Sequence, residues 1–100
     1  MLEKLAQIEK NYEELTAQIS SPDLMSDMSS YARLMKQHRS LGEIVERYRE
    51  VKKLHEDLEG AKELAAAADD DEMSAMAAAE IAEIEAKLPE AEEELKLLLL

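Results

Sequence analysis

Apolar residues recur along this chain at steps of three and four. Leu2, Leu5, Ile8, Tyr12, Leu15 and Ile19 make a first stripe, the signature of one buried face on a helix. The stripe stops at "SSPDLMSD", where Ser20, Ser21, Pro22 and Asp23 are turn formers and the proline ring disfavours helical backbone at Ser21. Asp27, Ser29 and Ser30 then offer side-chain oxygens to cap a second helix. In that segment Leu34, Leu41, Tyr48 and His55 recur every seven residues, and Ile44, Val51, Leu58 and Ala65 follow three places later, an a/d seam. Ser40 and Glu43 resemble a capping box that would restart a helix at Gly42. The register does not slip there, so one helix from about Asp27 to about Ala67 is expected, roughly 60 Å long.

"AADDDEMS" is the second break. Asp69, Asp70, Asp71 and Glu72 lack heptad partners, and carboxylates are favoured at a helix N-terminus by its partial positive charge. A third stripe follows: Ile81, Ile84, Leu88, Ala91, Leu95 and Leu98, with Met73 and Met76 extending it toward the turn as adaptable core fillers. Pro89 lies within the pattern. It either kinks one helix or opens a new one, and the unbroken phase favours the kink. The pattern predicts an all-α fold, an elongated antiparallel three-helix hairpin or bundle with coiled-coil-like packing, thickened at one end by the short first helix. Residues 1–100 are expected to form one helical domain.

Composition sharpens this picture. Two Gly and two Pro leave little turn chemistry for strands, and with no Phe or Trp and three Tyr the core must come from Leu, Ile, Val, Met and Ala. A net charge of −12 makes the chain a poor direct binder of nucleic acid. The charge is uneven, however: residues 31–55 hold seven basic against three acidic side chains. Either this is a solvated helix face with pairs such as Glu43–Arg47, or it is a contact strip, in which case Arg33, Lys36, Arg39, Arg47 and Arg49 are the candidate partner contacts. The N-terminal stretch lacks the order of a signal peptide and is too acidic for a transit peptide, so a cytoplasmic protein is expected. No membrane span is expected either, since the terminal "LLLL" is far shorter than the roughly 20 apolar residues a bilayer requires.

No catalytic constellation stands out. Without Cys there is no disulfide framework or thiolate zinc site. His38 and His55 are too far apart on one helix to share a metal, and His55-Glu56 lacks the second histidine of a zinc-protease motif because Glu59 stands there. His55 falls on the seam and reads as a partly buried structural residue. The acidic turn lacks the spaced ligands and central Gly of a calcium loop. No catalysis, cofactor or metal is expected of these residues.

Three stretches nevertheless form a familiar combination. "SSPDLMSD", "YARLMKQHRSLGEIVERYREVKKLHEDLEGAKELA" and "DDDEMSAMAAAEIAEIEAKLPEAEEELKLLLL" resemble the N-terminal domain of the bacterial class I peptide chain release factors, in particular the branch that reads UAA and UAG. The matching positions are Pro22, Asp23 and Asp27; Leu41, Ile44, Val45, Tyr48 and Leu54; Asp71, Glu72 and Met73; and Leu95 with Leu98 to Leu100. Gln37-His38-Arg39 is more basic than the family's usual sequence, and Pro89 is unusual for it. The resemblance implies a translation-termination module. Its partners would be the GTPase-associated region at the ribosomal stalk base, the class II release-factor GTPase and the methyltransferase that modifies the Gly-Gly-Gln glutamine. The codon-reading tripeptide and Gly-Gly-Gln are absent from these residues, so the catalytic body is expected to follow the leucine run. On that expectation Leu97, Leu99 and Leu100 would be left partly exposed and give weak self-association. The rival reading is a structural coiled-coil oligomerisation or adaptor module, supported by the seam of the second helix.

Overall fold

The computed structural model describes residues 2–23 and 27–100, with Leu2 described in its backbone alone. The Leu2 position of the first stripe, and Leu24, Met25 and Ser26 of the turn motif, therefore lie outside the described residues. Among the described residues the fold is all-α: α1 spans Leu2–Ile19, α2 Met28–Ala67 and α3 Asp71–Leu98. Two compact units divide the chain, Met1–Glu46 and Arg47–Leu100, and α2 continues unbroken through the boundary.

In the first unit α1 ends where the side chains compete for its last carbonyls. Both the Ser20 amide and its hydroxyl donate to the Thr16 carbonyl, at 3.2 and 2.9 Å, and the Ser21 amide turns back to the Gln18 carbonyl at 3.1 Å. Pro22 then cannot extend the helix. At the start of α2 the carboxylate of Asp27 accepts from the Ser30 amide at 3.2 Å and from its hydroxyl at 2.8 Å, which satisfies an otherwise orphaned helix donor. These bonds favour the ionised form, led by the Ser30 hydroxyl, and hold the Asp27 carboxyl below its ordinary value. α1 and the first part of α2 run antiparallel, because Tyr12 lies against Gly42 while Thr16 meets His38. Among the described residues of this unit Leu5, Leu15 and Val45 are the buried apolar ones, while Ile8, Tyr12, Ile19, Leu34, Leu41 and Ile44 are only partly covered.

The second unit is a helix pair with a fuller apolar seam. Tyr48, Val51, Leu58 and Ala61 of α2 and Ala77, Ile84, Leu88, Ala91 and Leu95 of α3 are all buried. Their direction is antiparallel: Arg47 meets Glu94, His55 approaches Glu92, and Leu64 shares a depression with Met73 and Met76. α3 begins as the acidic run predicts. Asp70 is its N-cap, in extended conformation, and accepts from the Met73 amide at 2.7 Å, while Asp71 and Glu72 occupy the first turn. The helix then runs through Pro89 without interruption to Leu98, so no new helix starts there.

Four expectations need correction. His55 is not part of the core: its side chain is 56% exposed and lies 3.8 Å from Glu92. Tyr48, Val51 and Leu58 keep their predicted places on the buried face, and Val45 and Ala61 join them. Met73 and Met76 are not core fillers either, being 46% and 68% exposed; Ala77 is the buried residue there. Leu98 is 37% exposed, and Leu95 is the last fully covered leucine of the stripe. Finally, Ser40 and Glu43 do not restart a helix, because α2 has no break near Gly42.

Candidate partner-binding surfaces

The basic positions of α2 are divided between the two units. Arg33 and Lys36 belong to the first unit, where they stand with Gln37 and Ser40 at helical spacings of three, four and seven. Together with Leu41, and with Asn11 and Leu15 from α1, they line an open groove of about 490 Å³. The floor is apolar, from Leu15 and Leu41 and the alkyl stems of the basic side chains, and the rim on the α2 side is cationic. Arg39 lies on the same helix but outside this lining, and it is exposed.

A rigid polar cluster sits close by. The rings of Tyr12 and His38 stack with centroids 4.4 Å apart and planes 20° from parallel. Thr16 Oγ1 lies 2.8 Å from His38 Nε2 and 2.9 Å from the Tyr12 carbonyl oxygen. A hydroxyl has one proton, so both contacts are satisfied when Thr16 donates to the carbonyl and His38 Nε2–H donates to Thr16. Gly42 completes the cluster, since a Cβ there would lie 3.3 Å from Tyr12 Cε1. This cluster fixes the register of α1 against α2 and so the width of the groove.

Arg47 and Arg49 belong to the second unit. Arg47 pairs with Glu50 at 2.9 Å and with Glu94 of α3 at 3.1 Å, where it ties the two helices together. Arg49 is exposed. Further along, Lys52 stands 5.2 Å over the Tyr48 ring, a cation–π contact, and Lys53 pairs with Asp57 at 2.9 Å. The Asp57 hydrogen bond raises the Lys53 pKa. Of the five candidate contacts, only Arg33 and Lys36 are brought together on one concave surface. The neutral members of the groove, Asn11, Gln37 and Ser40, were not foreseen; the only available signal was their helical spacing.

Among the described residues no group of three His, Cys, Asp or Glu side chains could hold a metal ion, and no helix is long and apolar enough to cross a membrane. Near the end of α3, Leu97 and Leu100 are 60% and 98% exposed, and Leu99 is half-buried.

Comparison with known proteins places these features in a family context. The PCRF domain model matches residues 8–100. Over its whole length the chain is 46% identical to peptide chain release factor 1 of Alkaliphilus oremlandii, 47% identical to that of Oleidesulfovibrio alaskensis and 42% identical to that of Syntrophomonas wolfei. It spans 28% of the length of each of these relatives. No solved structure matches the chain.

Proposed function

The chain belongs to the PCRF domain family, and from that membership we propose that it is a helical module of a class I peptide chain release factor that directs termination at UAA and UAG. The observation that carries this reading is identity of 42–47% along the whole chain to release factors of three organisms. The module acts in the cytoplasm by contact rather than by catalysis. Its partners are the GTPase-associated region at the ribosomal stalk base, the class II release-factor GTPase and the glutamine methyltransferase of release factors. Arg33, Lys36 and Arg39 are the contact residues of choice, because Arg47 already serves the α2–α3 pairing. Arg49 is a second-rank candidate. The coiled-coil adaptor reading loses its support from the α2 seam, since Tyr48, Val51, Leu58 and Ala61 are buried within a single chain.

The test uses the full-length protein that contains this chain. Purified factor should release peptide from ribosomes stalled at UAA or UAG and leave those at UGA intact, and the 100-residue chain alone should release none. Charge reversal of Arg33, Lys36 and Arg39 to Glu should raise the KM for the ribosomal complex and make it less sensitive to salt, with kcat retained. Release at UGA, or release by the isolated chain, would overturn the reading.

A further inference from the structure

The least expected surface of the molecule lies in the second unit, where α2 gives way to α3. Leu64, Met73 and Met76 are 53%, 46% and 68% exposed and, with Ala77 and Glu80, line a depression of about 160 Å³. Three large apolar side chains gathered in one place differ from the scattered exposed leucines that any surface carries. Methionine adds a polarisable, unbranched side chain that repacks readily against different partners.

The charge around the patch is one-sided. From residue 63 to residue 86 the sequence holds eight carboxylates, Glu63, the acids of residues 69–72, Glu80, Glu83 and Glu85, and the flanking Lys62 and Lys87 are paired with Glu59 and Glu83. Asp70 is engaged as the N-cap of α3, yet its charge still contributes to the field. The remaining positions near the turn are largely alanines, residues 65–68, 75, 77–79 and 82, whose short side chains let another backbone approach closely. An apolar depression with Glu80 in its lining, on a strongly acidic stretch of chain, disfavours nucleic acid and acidic proteins. It favours a ligand of opposite pattern.

We propose that Leu64, Met73 and Met76 form a docking site for a basic amphipathic helix of a partner protein, one that presents aliphatic side chains flanked by Lys or Arg. The site stands on its own geometry and charge, and does not rest on the release-factor reading. Apolar contact supplies affinity and the carboxylates supply orientation and a faster encounter.

The chain, labelled with 13C at its methionine methyls, can be titrated with a synthetic leucine–lysine amphipathic helix and with a control in which every lysine is glutamate. The Met73 and Met76 methyl signals should shift, and that of Met28, 71% exposed in the first unit, should stay in place. The affinity should fall as salt is raised. Leu64→Ser, Met73→Ser and Met76→Ser together leave every charge intact and should weaken binding about tenfold or more, since each removes apolar burial. Met76→Ser alone, at the most exposed of the three positions, keeps the fold safe and should still cost about threefold. Equal binding of the acidic control, an equal shift at Met28, or unchanged affinity of the serine variants would overturn the site. A concentration-dependent dimer of the chain, abolished by the same variants, would show that the occupant is a second copy and would overturn the proposed partner.

Discussion

The two units of this chain solve the same problem, pairing two antiparallel helices, in different ways. The second buries nine apolar side chains along a nearly continuous seam. Among its described residues the first buries three, Leu5, Leu15 and Val45, and leaves Ile8, Leu34, Leu41 and Ile44 half-covered alongside a stacked Tyr12–His38 pair. Charge divides them as well: residues 1–46 sum to −3 and residues 47–100 to −9. Aliphatic seams tolerate any rotation that keeps leucine on leucine. An aromatic ring seated on a glycine and tied by a hydroxyl–imidazole contact fixes one register. The unit with the thinner core is thus the one whose helix register is set by directional contacts, and it is the one that holds the open groove.

The largest test of this contrast is core truncation. Leu95→Ala removes a side chain that is 3% exposed and should destabilise the chain by about 2–5 kcal/mol in urea denaturation. Ile8→Ala, at a half-covered position of the first unit, should cost clearly less. Leu100→Ser, 98% exposed, should leave the midpoint within about 0.5 kcal/mol of the parent. Equal losses for Leu95 and Ile8 would erase the distinction between the units.

Glycine replacement gives the next effect. Both glycines lie inside α2, and alanine in a helix interior is favoured over glycine by about 1 kcal/mol. At Gly60 a Cβ meets nothing within 4 Å, so Gly60→Ala should raise stability by most of that amount. At Gly42 the new Cβ would lie 3.3 Å from Tyr12 Cε1, and the ring cannot withdraw freely because it is stacked on His38. Gly42→Ala should therefore fall short of Gly60→Ala by at least about 0.5 kcal/mol. Tyr12→Leu should remove the shortfall. If the two alanines stabilise equally, the ring does not hold the register.

A smaller effect concerns Arg47. A double-mutant cycle of Arg47→Ala with Glu94→Ala should yield a coupling of about 0.2–1 kcal/mol, as both side chains are roughly half exposed. That value should shrink in 0.5 M salt.

How much of this was legible in the sequence follows from what each feature depends on. The bounds of α2 were predicted as about 27 to 67 and are 28 to 67, because the cap at Asp27 and the apolar spacing are local signals. The start of α3 at the acidic run and its passage through Pro89 were legible for the same reason, though the run alone did not single out Asp70 as the cap. His55 was misplaced although Tyr48, Val51 and Leu58 of the same seam are buried: its imidazole lies beside Glu92 of α3, a neighbour that spacing within α2 does not reveal. Met73 was misplaced although it stands four residues before the buried Ala77. The α2 residue that shares its depression, Leu64, is itself 53% exposed and covers little of it. The groove could not be foreseen at all. It depends on which residue of α1 faces which residue of α2, and the Tyr12–Gly42 contact that sets this joins positions thirty residues apart.

The finest difference between the units lies in how their second helices begin, with Asp27 capping α2 and Asp70 capping α3. Asp27 accepts two bonds from Ser30, and its carboxyl is held below the ordinary value of 3.8. A carboxyl with a depressed folded-state pKa contributes stability that is fully present above the unfolded-state value. That contribution is lost as pH falls through the folded value, where the cap becomes protonated. Asn keeps an acceptor for the Ser30 amide but has no charge to titrate. Amide exchange in the first turn of α2 should therefore be slower in the parent than in Asp27→Asn at pH 5. The two should converge as the pH is lowered past 3.8 toward 2. The first turn of α3 serves as the internal reference and should respond identically in both proteins. A gap between parent and variant that persists unchanged to pH 2 would mean that the Asp27 charge contributes nothing, and that the cap works through its hydrogen-bond geometry alone.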